Sequence, residues 1–175
     1  CSTAPMRKAG PVNSNAVSRG SGTVYRWVYV SRPCVPNDQL EDAVADILSR
    51  SLSRNRSLNV TGALICSGLR FSQYLEGSRE SVQTLKESIS RDVRHADVTD
   101  LVEGPFSRRI FPDWSLLHAR SSRYLDRFLV GAPLGSPWRD VGKVGAVLAL
   151  FNELAAQRDK PTGGSLGLEI PDRYR

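Results

Sequence analysis

Gln73 is a single amide in an otherwise apolar stripe. In RFSQYLEG (residues 70–77) a strand period of two sets Phe71, Gln73 and Leu75 on one face. A primary amide brings two N–H donors and an acceptor, and each costs roughly 1–3 kcal/mol if buried without a partner. Other polar groups fall where they can meet it. Tyr29 shares its side of VYRWVYVS with Tyr25, Trp27 and Ser31. A helical stripe of Leu40, Val44, Ile47 and Leu48 turns polar at Ser51, Arg54 and Asn55. A second stripe, Val82, Leu85 and Ile89, ends in Asp92, Arg94 and His95. Together these supply a phenol, two carboxamides and an Asp/Arg/His group, with Ile47 and Ile89 as apolar walls. An Asn side chain can pair with a ring C=O and N–H at once, so the parts suit a flat heteroaromatic ring with amide-like edges. No Ser/His/Asp or Cys/His set surrounds the slot. The groups suit holding a ring and exchanging protons or electrons with it better than hydrolysis.

Taken singly, each residue has a plainer reading. Tyr29 reads as a half-buried sheet tyrosine, Asn55 as a helix C-cap, Trp114 as core, and Asp92 to His95 as a solvated helix end. Their convergence on one cleft is what favours the functional reading.

The elements that must position these groups follow in order. A strand from Val24 is ended by Pro33 and Pro36. A helix over Asp38 to about Arg54 is predicted to be capped by Asn37 or Asp38, with Glu41 at the reciprocal spacing. Val60–Cys66 and Arg70–Glu76 form a hairpin in which Gly68 is expected to take the positive φ of a type II′ turn. The outer face of its second strand, Arg70, Ser72, Tyr74 and Glu76, reads as solvated or half-covered. A helix over Arg79–Arg91 has Ser78 as its cap, and strands follow near Val98–Glu103 and Asp113–Ala119. This order predicts an α+β, ferredoxin-like fold: a five-stranded mixed sheet with two helices on one face. Its first and third strands are central neighbours, so Tyr29 can meet Gln73. Helices are expected at Arg123–Val130 and Trp138–Gln157, split by Gly131–Pro137. In the second, Val141, Val144, Leu148, Phe151 and Ala155 lie beside a line of Val147, Leu150 and Leu154. Such breadth predicts two buried faces, one on the open side of the sheet and one on a partner chain. The expected organisation is a flexible tail over 1–23, a domain over 24–120, and a helical extension with a loose tail over 121–175.

Composition narrows the classes. Three cysteines among 175 residues, with no metal-ligand spacing, fit a reducing, cytoplasmic compartment and oppose a disulfide scaffold or metal site. No apolar run approaches ~18 residues, so no membrane span is expected. The net charge of +6 lies in the tails, since residues 24–119 hold twelve Lys/Arg against twelve Asp/Glu. A nucleic-acid surface is therefore disfavoured. Without Met at position 1, the sequence is compatible with a start inside a longer product.

The chain resembles the BLUF family, blue-light sensors that use flavin adenine dinucleotide (FAD), from about Tyr25 to Leu117. The motifs are YRWVYVSR with Tyr29, RNRSLNVTGAL with Asn55, RFSQYLEG with Gln73, RDVRH at 91–95, and FPDW with Trp114. Three positions depart from the family pattern: Leu116 replaces a frequent Met, Arg54 a His or Asn, and Trp27 a smaller apolar residue. The resemblance implies FAD as cofactor, with FMN or riboflavin as possible substitutes. It implies cofactor contacts from Tyr29, Ile47, Ser51, Arg54, Asn55, Gln73, Ile89, Asp92, Arg94 and His95, and photoactive roles for Tyr29, Gln73, Trp114 and Leu116. An electron would pass from Tyr29 to the excited flavin and a proton through Gln73. The Gln73 amide would be left rotated or tautomerised, and the signal would leave along the strand carrying Trp114 and Leu116. The chain would be a sensor and not an enzyme, a homodimer or higher oligomer, acting by contact on a downstream protein. The competing classes are a flavin-free ferredoxin-like interaction module and an RNA-binding module, and the latter needs exposed sheet aromatics and a basic surface. Trp27 falls on the Tyr29 side, roughly 7 Å along the strand. It would serve either as a competing electron donor or as a plain core residue that fills space beneath the first helix or points at its capping turn.

Overall fold

The β-branched and aromatic run at the start of the domain forms β1 (Val24–Pro33), and the chain continues through α1 (Leu40–Ser57), β2 (Thr61–Cys66) and β3 (Phe71–Gly77). Next come α2 (Arg79–Ser90), β4 (His95–Phe106), β5 (Leu117–Arg120) and α3 (Val141–Gln157). The computed structural model describes residues 23–113, 116–120 and 141–157, with backbone alone for 117–120 and 157. Trp114, the helix expected at Arg123–Val130, the Gly131–Pro137 break, positions 138–140 and the two tails lie outside the described residues.

The strands form one mixed sheet in the order β4-β1-β3-β2-β5. β1 runs antiparallel to β3 and β4, β2 antiparallel to β3, and β2 parallel to β5. The α+β class and the central β1/β3 pair agree with the sequence expectation. Strand alternation divides the core. Trp27, Tyr29 and Leu75 lie under α2 with Val82 and Leu85, while Leu64 and Phe71 lie under α1 with Val44 and Leu48. Val28, Val30, Ala63, Ile65 and Tyr74 face the other way, onto Phe111 and the Val147, Phe151 and Leu154 side of α3. Burying each large apolar side chain there contributes about 1.5–3 kcal/mol.

That second layer corrects one expectation. Ser72, Tyr74 and Glu76 are fully buried, neither solvated nor half-covered. Tyr74 meets Phe111 and Phe151 at ring centroids of 5.5 and 5.6 Å, so an aromatic cluster pins α3 to the sheet. Both α3 lines contribute to this layer: Val147, Phe151 and Leu154 are buried against the sheet, Leu148, Leu150 and Ala155 pack beside them half-buried, and Val141 is 84% exposed.

Local chemistry departs from prediction at the element ends. Gly68 has no positive φ. The hairpin is closed instead by Ser67, whose hydroxyl accepts from the backbone N–H of Leu69 (3.3 Å) and Arg70 (2.8 Å). No side chain caps α1; a 3-10 turn, Asn37–Gln39, leads into it from Pro36. The helix runs past Arg54 to Ser57 and ends in a Schellman arrangement, with Val60 N–H on the Asn55 carbonyl and Asn59 N–H on that of Arg56. Asn59, at φ 51°, takes the left-handed position, so Asn55 is not the C-cap. Ser78 does cap α2, accepting from Ser81 N–H at 3.1 Å. β4 starts earlier than expected, making His95 a strand residue, and β5 is shorter, at Leu117–Arg120.

Glu76 ties the fold together from beneath. Its carboxylate accepts from the backbone N–H of Ile110 (2.9 Å) and Phe111 (2.6 Å) and from Thr61 Oγ1 (3.2 Å). Arg109 reaches the Thr61 hydroxyl and the Glu76 and Asn59 carbonyls. Burial pushes the Glu76 pKa up, against the pull of these donors and of Arg109. Glu76→Ala strands two backbone donors and is expected to cost about 3 kcal/mol or more. Glu76→Gln keeps the shape and one acceptor oxygen and should cost less. Denaturant midpoints read both, and equal losses would contradict this role.

Candidate functional site

Tyr29 and Gln73 are directly opposed across β1 and β3. The phenol donates to Gln73 Oε1 at 2.7 Å, and the residues are 3% and 4% exposed. The amide nitrogen of Gln73 bonds to no described residue, so two N–H donors stand ready for an acceptor. Burial, with the Asp92 charge adding to it, pushes the Tyr29 pKa far above its ordinary value. The phenol is therefore held protonated, as the donor of the pair.

Two separate apolar clusters flank the pair. The cluster under α2 includes Ile89 and no side chain of α1; the cluster under α1 includes Ile47 and Leu116 and no side chain of α2. Between them lies the polar end of each helix. Asn55 is 2% exposed in the last turn of α1, and Ser51, one turn earlier, is half-buried. Arg54 reaches across to Ser88 Oγ on α2 at 2.9 Å. Arg94 is gripped by both oxygens of Asp92 and by Asp46 of α1. The Arg94 guanidinium holds the Asp92 carboxyl below the usual range. His95 donates from Nε2 to the Ile89 carbonyl (3.0 Å) and accepts at Nδ1 from Ser31 Oγ (2.7 Å). Both ring nitrogens are thus engaged, and the ring stands 6.1 Å from those of Tyr29 and Phe71.

The structure brings Tyr29, Gln73, Asn55, Ile47, Ile89, Ser51, Arg54, Asp92, Arg94, His95 and Leu116 to this region; Trp114 lies outside the described residues. Asp46 and Ser88 escaped sequence reasoning because each is one polar residue among many on a helix surface. Trp27 lies beneath α2, not beneath the first helix, and stacks on Tyr29 with ring centroids 4.4 Å apart.

The family profile described as BLUF, sensors of blue-light using FAD, matches residues 24–117. The photoactivated adenylate cyclase subunit beta of Euglena gracilis is 26% identical over 161 residues, covering 87% of this chain. The chain spans 19% of that curated relative's length. BlrB, a BLUF protein solved in its dark state, matches with a TM-score of 0.64 at 28% identity, over 77% of this chain and 97% of its own. BlrP1 of Klebsiella pneumoniae, in a structure with FMN and cyclic diGMP and no metal ions, matches with a TM-score of 0.51 at 25% identity, over 79% of this chain and 37% of its own.

His95 makes the cleft acid-sensitive. Burial, helped by the Arg94 charge, pushes its pKa below 6.5, against the opposing effects of the Ile89 carbonyl and Asp92. The unfolded chain therefore binds the proton more readily. The stability carried by neutral His95 is complete above about pH 6.5 and falls as pH drops through the lowered folded value. Denaturant midpoints between pH 7.5 and pH 5 should fall more steeply for the parent than for His95→Gln. Parallel slopes would remove His95 as the cause.

Proposed function

The chain belongs to the BLUF family of blue-light sensors, and on that premise we propose that Tyr29 and Gln73 are its switching pair, acting on a bound FAD. The observation that carries the reading is the buried 2.7 Å phenol–amide hydrogen bond, with the second edge of the amide free to bond a ligand carbonyl. That free edge, set between two apolar walls, fits a flavin ring. Asn55 would hold the ring's amide-like edge, Ile47 and Ile89 its faces, and Ser51, Arg54, Asp92 and Arg94 the more polar parts of the cofactor, with the His95 ring closing one end. When bound, the flavin supplies absorption of blue light and an acceptor for one electron.

The protein's own groups do the rest. Tyr29 is the nearest donor to the amide and holds its proton against Gln73 Oε1. A half-turn of the Gln73 carboxamide, or its tautomer, exchanges acceptor for donor at both of its edges. Two hydrogen bonds are thereby rewritten while the apolar packing around them stays in place. Leu64, paired with Gln73 across β2 and β3, packs in one cluster with Phe71 and Leu116. The output would pass by contact to the C-terminal helix, a second copy of the chain, or an effector domain, in a cytoplasmic setting. No helix among the described residues is long and apolar enough to cross a membrane. An RNA-binding reading loses support because Tyr29 and Tyr74 are buried on opposite faces of a sheet covered on both sides.

Protein made in flavin-replete cells should be yellow, and blue light should shift its band to the red without bleaching, with return in the dark. A folded, colourless preparation that takes up no flavin would sink the reading. Gln73→Leu and Tyr29→Phe should stay yellow and lose the red shift. Parent-like photoconversion in either variant would remove that residue from the switch.

A further inference from the structure

β4 carries a bulge against β1: Val28 pairs with Val102, but Tyr29 pairs with Asp100, skipping Leu101. Leu101 and Val102 consequently both pack on the α3 side, while Asp100 and Glu103 both come to the α2 side. There Asp100 Oδ1 accepts from Trp27 Nε1 at 2.7 Å, and its other oxygen accepts from Lys86 Nζ at 2.5 Å. Glu103 takes a second bond from Lys86 at 2.6 Å. The Trp27 ring is fully buried and stacked on Tyr29 at 4.4 Å and 23°. An oxidisable indole thus touches the phenol through its face and a carboxylate through its only N–H. Lys86 sits 5.2 Å from the indole centroid, but two carboxylates neutralise it and leave one net negative charge on the cluster. A hole on the indole is favoured by that sign.

We propose that Trp27 and Asp100 form a second electron-and-proton exit beside Tyr29 and Gln73, one that returns the site to its starting state without switching the amide. The proposal rests on the function proposed above, in which a photoexcited flavin is the oxidant that takes one electron from Tyr29. While the oxidised phenol still holds its proton, one electron crosses the stack from Trp27 and restores neutral Tyr29. The indole, now one electron short, gives its Nε1 proton to the Asp100 carboxylate and becomes a neutral indolyl radical. Return of the electron and of that proton closes the loop with Gln73 untouched. Two exits therefore compete for each oxidised Tyr29: proton loss toward Gln73, which switches, and electron supply from Trp27, which does not.

Transient absorption of the flavin-loaded parent should show an indolyl radical, absent in Trp27→Phe. Asp100→Asn keeps the stack and removes the proton acceptor, so the neutral indolyl signal should vanish there as well. The yield of red-shifted product should rise in both variants. In the flavin-free protein, Asp100→Asn should shift the Trp27 indole N–H resonance in a nitrogen-edited NMR spectrum. An unmoved resonance, or no indolyl radical in a parent that photoconverts through Tyr29, overturns the second exit and leaves the sensor reading intact. A colourless protein, or a Tyr29→Phe variant that switches normally, overturns both.

Discussion

The cleft depends on the register of β1 against β3. With Tyr29 opposite Gln73, the phenol and the amide share a face and close a hydrogen bond in a water-poor interior. A slip of one residue would carry Gln73 to the α3 side and leave its three hydrogen-bonding sites in hydrocarbon. The register is guarded from the opposite face. Ser72 Oγ donates to the Tyr29 carbonyl at 3.1 Å, and Val28, Val30 and Tyr74 lock into the α3 cluster. The site is therefore only as exact as the packing beneath it.

The same strand serves two layers. Gln73 faces the helices, while Glu76, three residues on, faces the other way and holds Ile110 and Phe111. The segment leaving Phe111 then returns at Leu116 to the cluster beside Leu64, which pairs with Gln73. One stretch of chain is thus fixed to β3 from both faces, and Phe111 is also an α3 contact. A change at the amide and a change at α3 share physical neighbours. This is continuity of packing; coupling between the two is what the variants would measure.

α1 and α2 each satisfy their apolar stripe on the sheet, in clusters that hold no side chain of the other helix. Polar bonds bridge this side: Arg54 of α1 to Ser88 of α2, and Arg94, in the turn that follows α2, to Asp46 of α1. Such half-exposed bridges hold the helices at a spacing without the dispersion gain that would close the gap, and they can be exchanged for ligand contacts at modest cost.

The sequence by itself determined the order of elements, the sheet class and which polar residues interrupt the apolar stripes. Strand alternation and helical period are local, and polar residues on apolar stripes are visible wherever they occur. It determined Gln73 and Tyr29 as a pair through the central β1/β3 neighbours, and Ser78 as a cap through one-turn geometry. Tertiary structure decided what depends on partners distant in sequence. The face of Tyr74 and Glu76 looked half-solvated from its own Tyr/Ser/Glu alternation; the apolar breadth of the helix at 141–157 predicted a cover for the open side of the sheet, but how completely it buries these residues was decided by long-range packing. The Ser67 turn replaced the glycine turn because a hydroxyl could satisfy the same backbone donors. Asp100 came to Trp27 only because a bulge at Leu101 reversed strand parity, and composition does not record where a ladder skips a residue. Local periodicity reports which face a residue takes within its own element; what waits on that face is set by register, bulges and long-range packing.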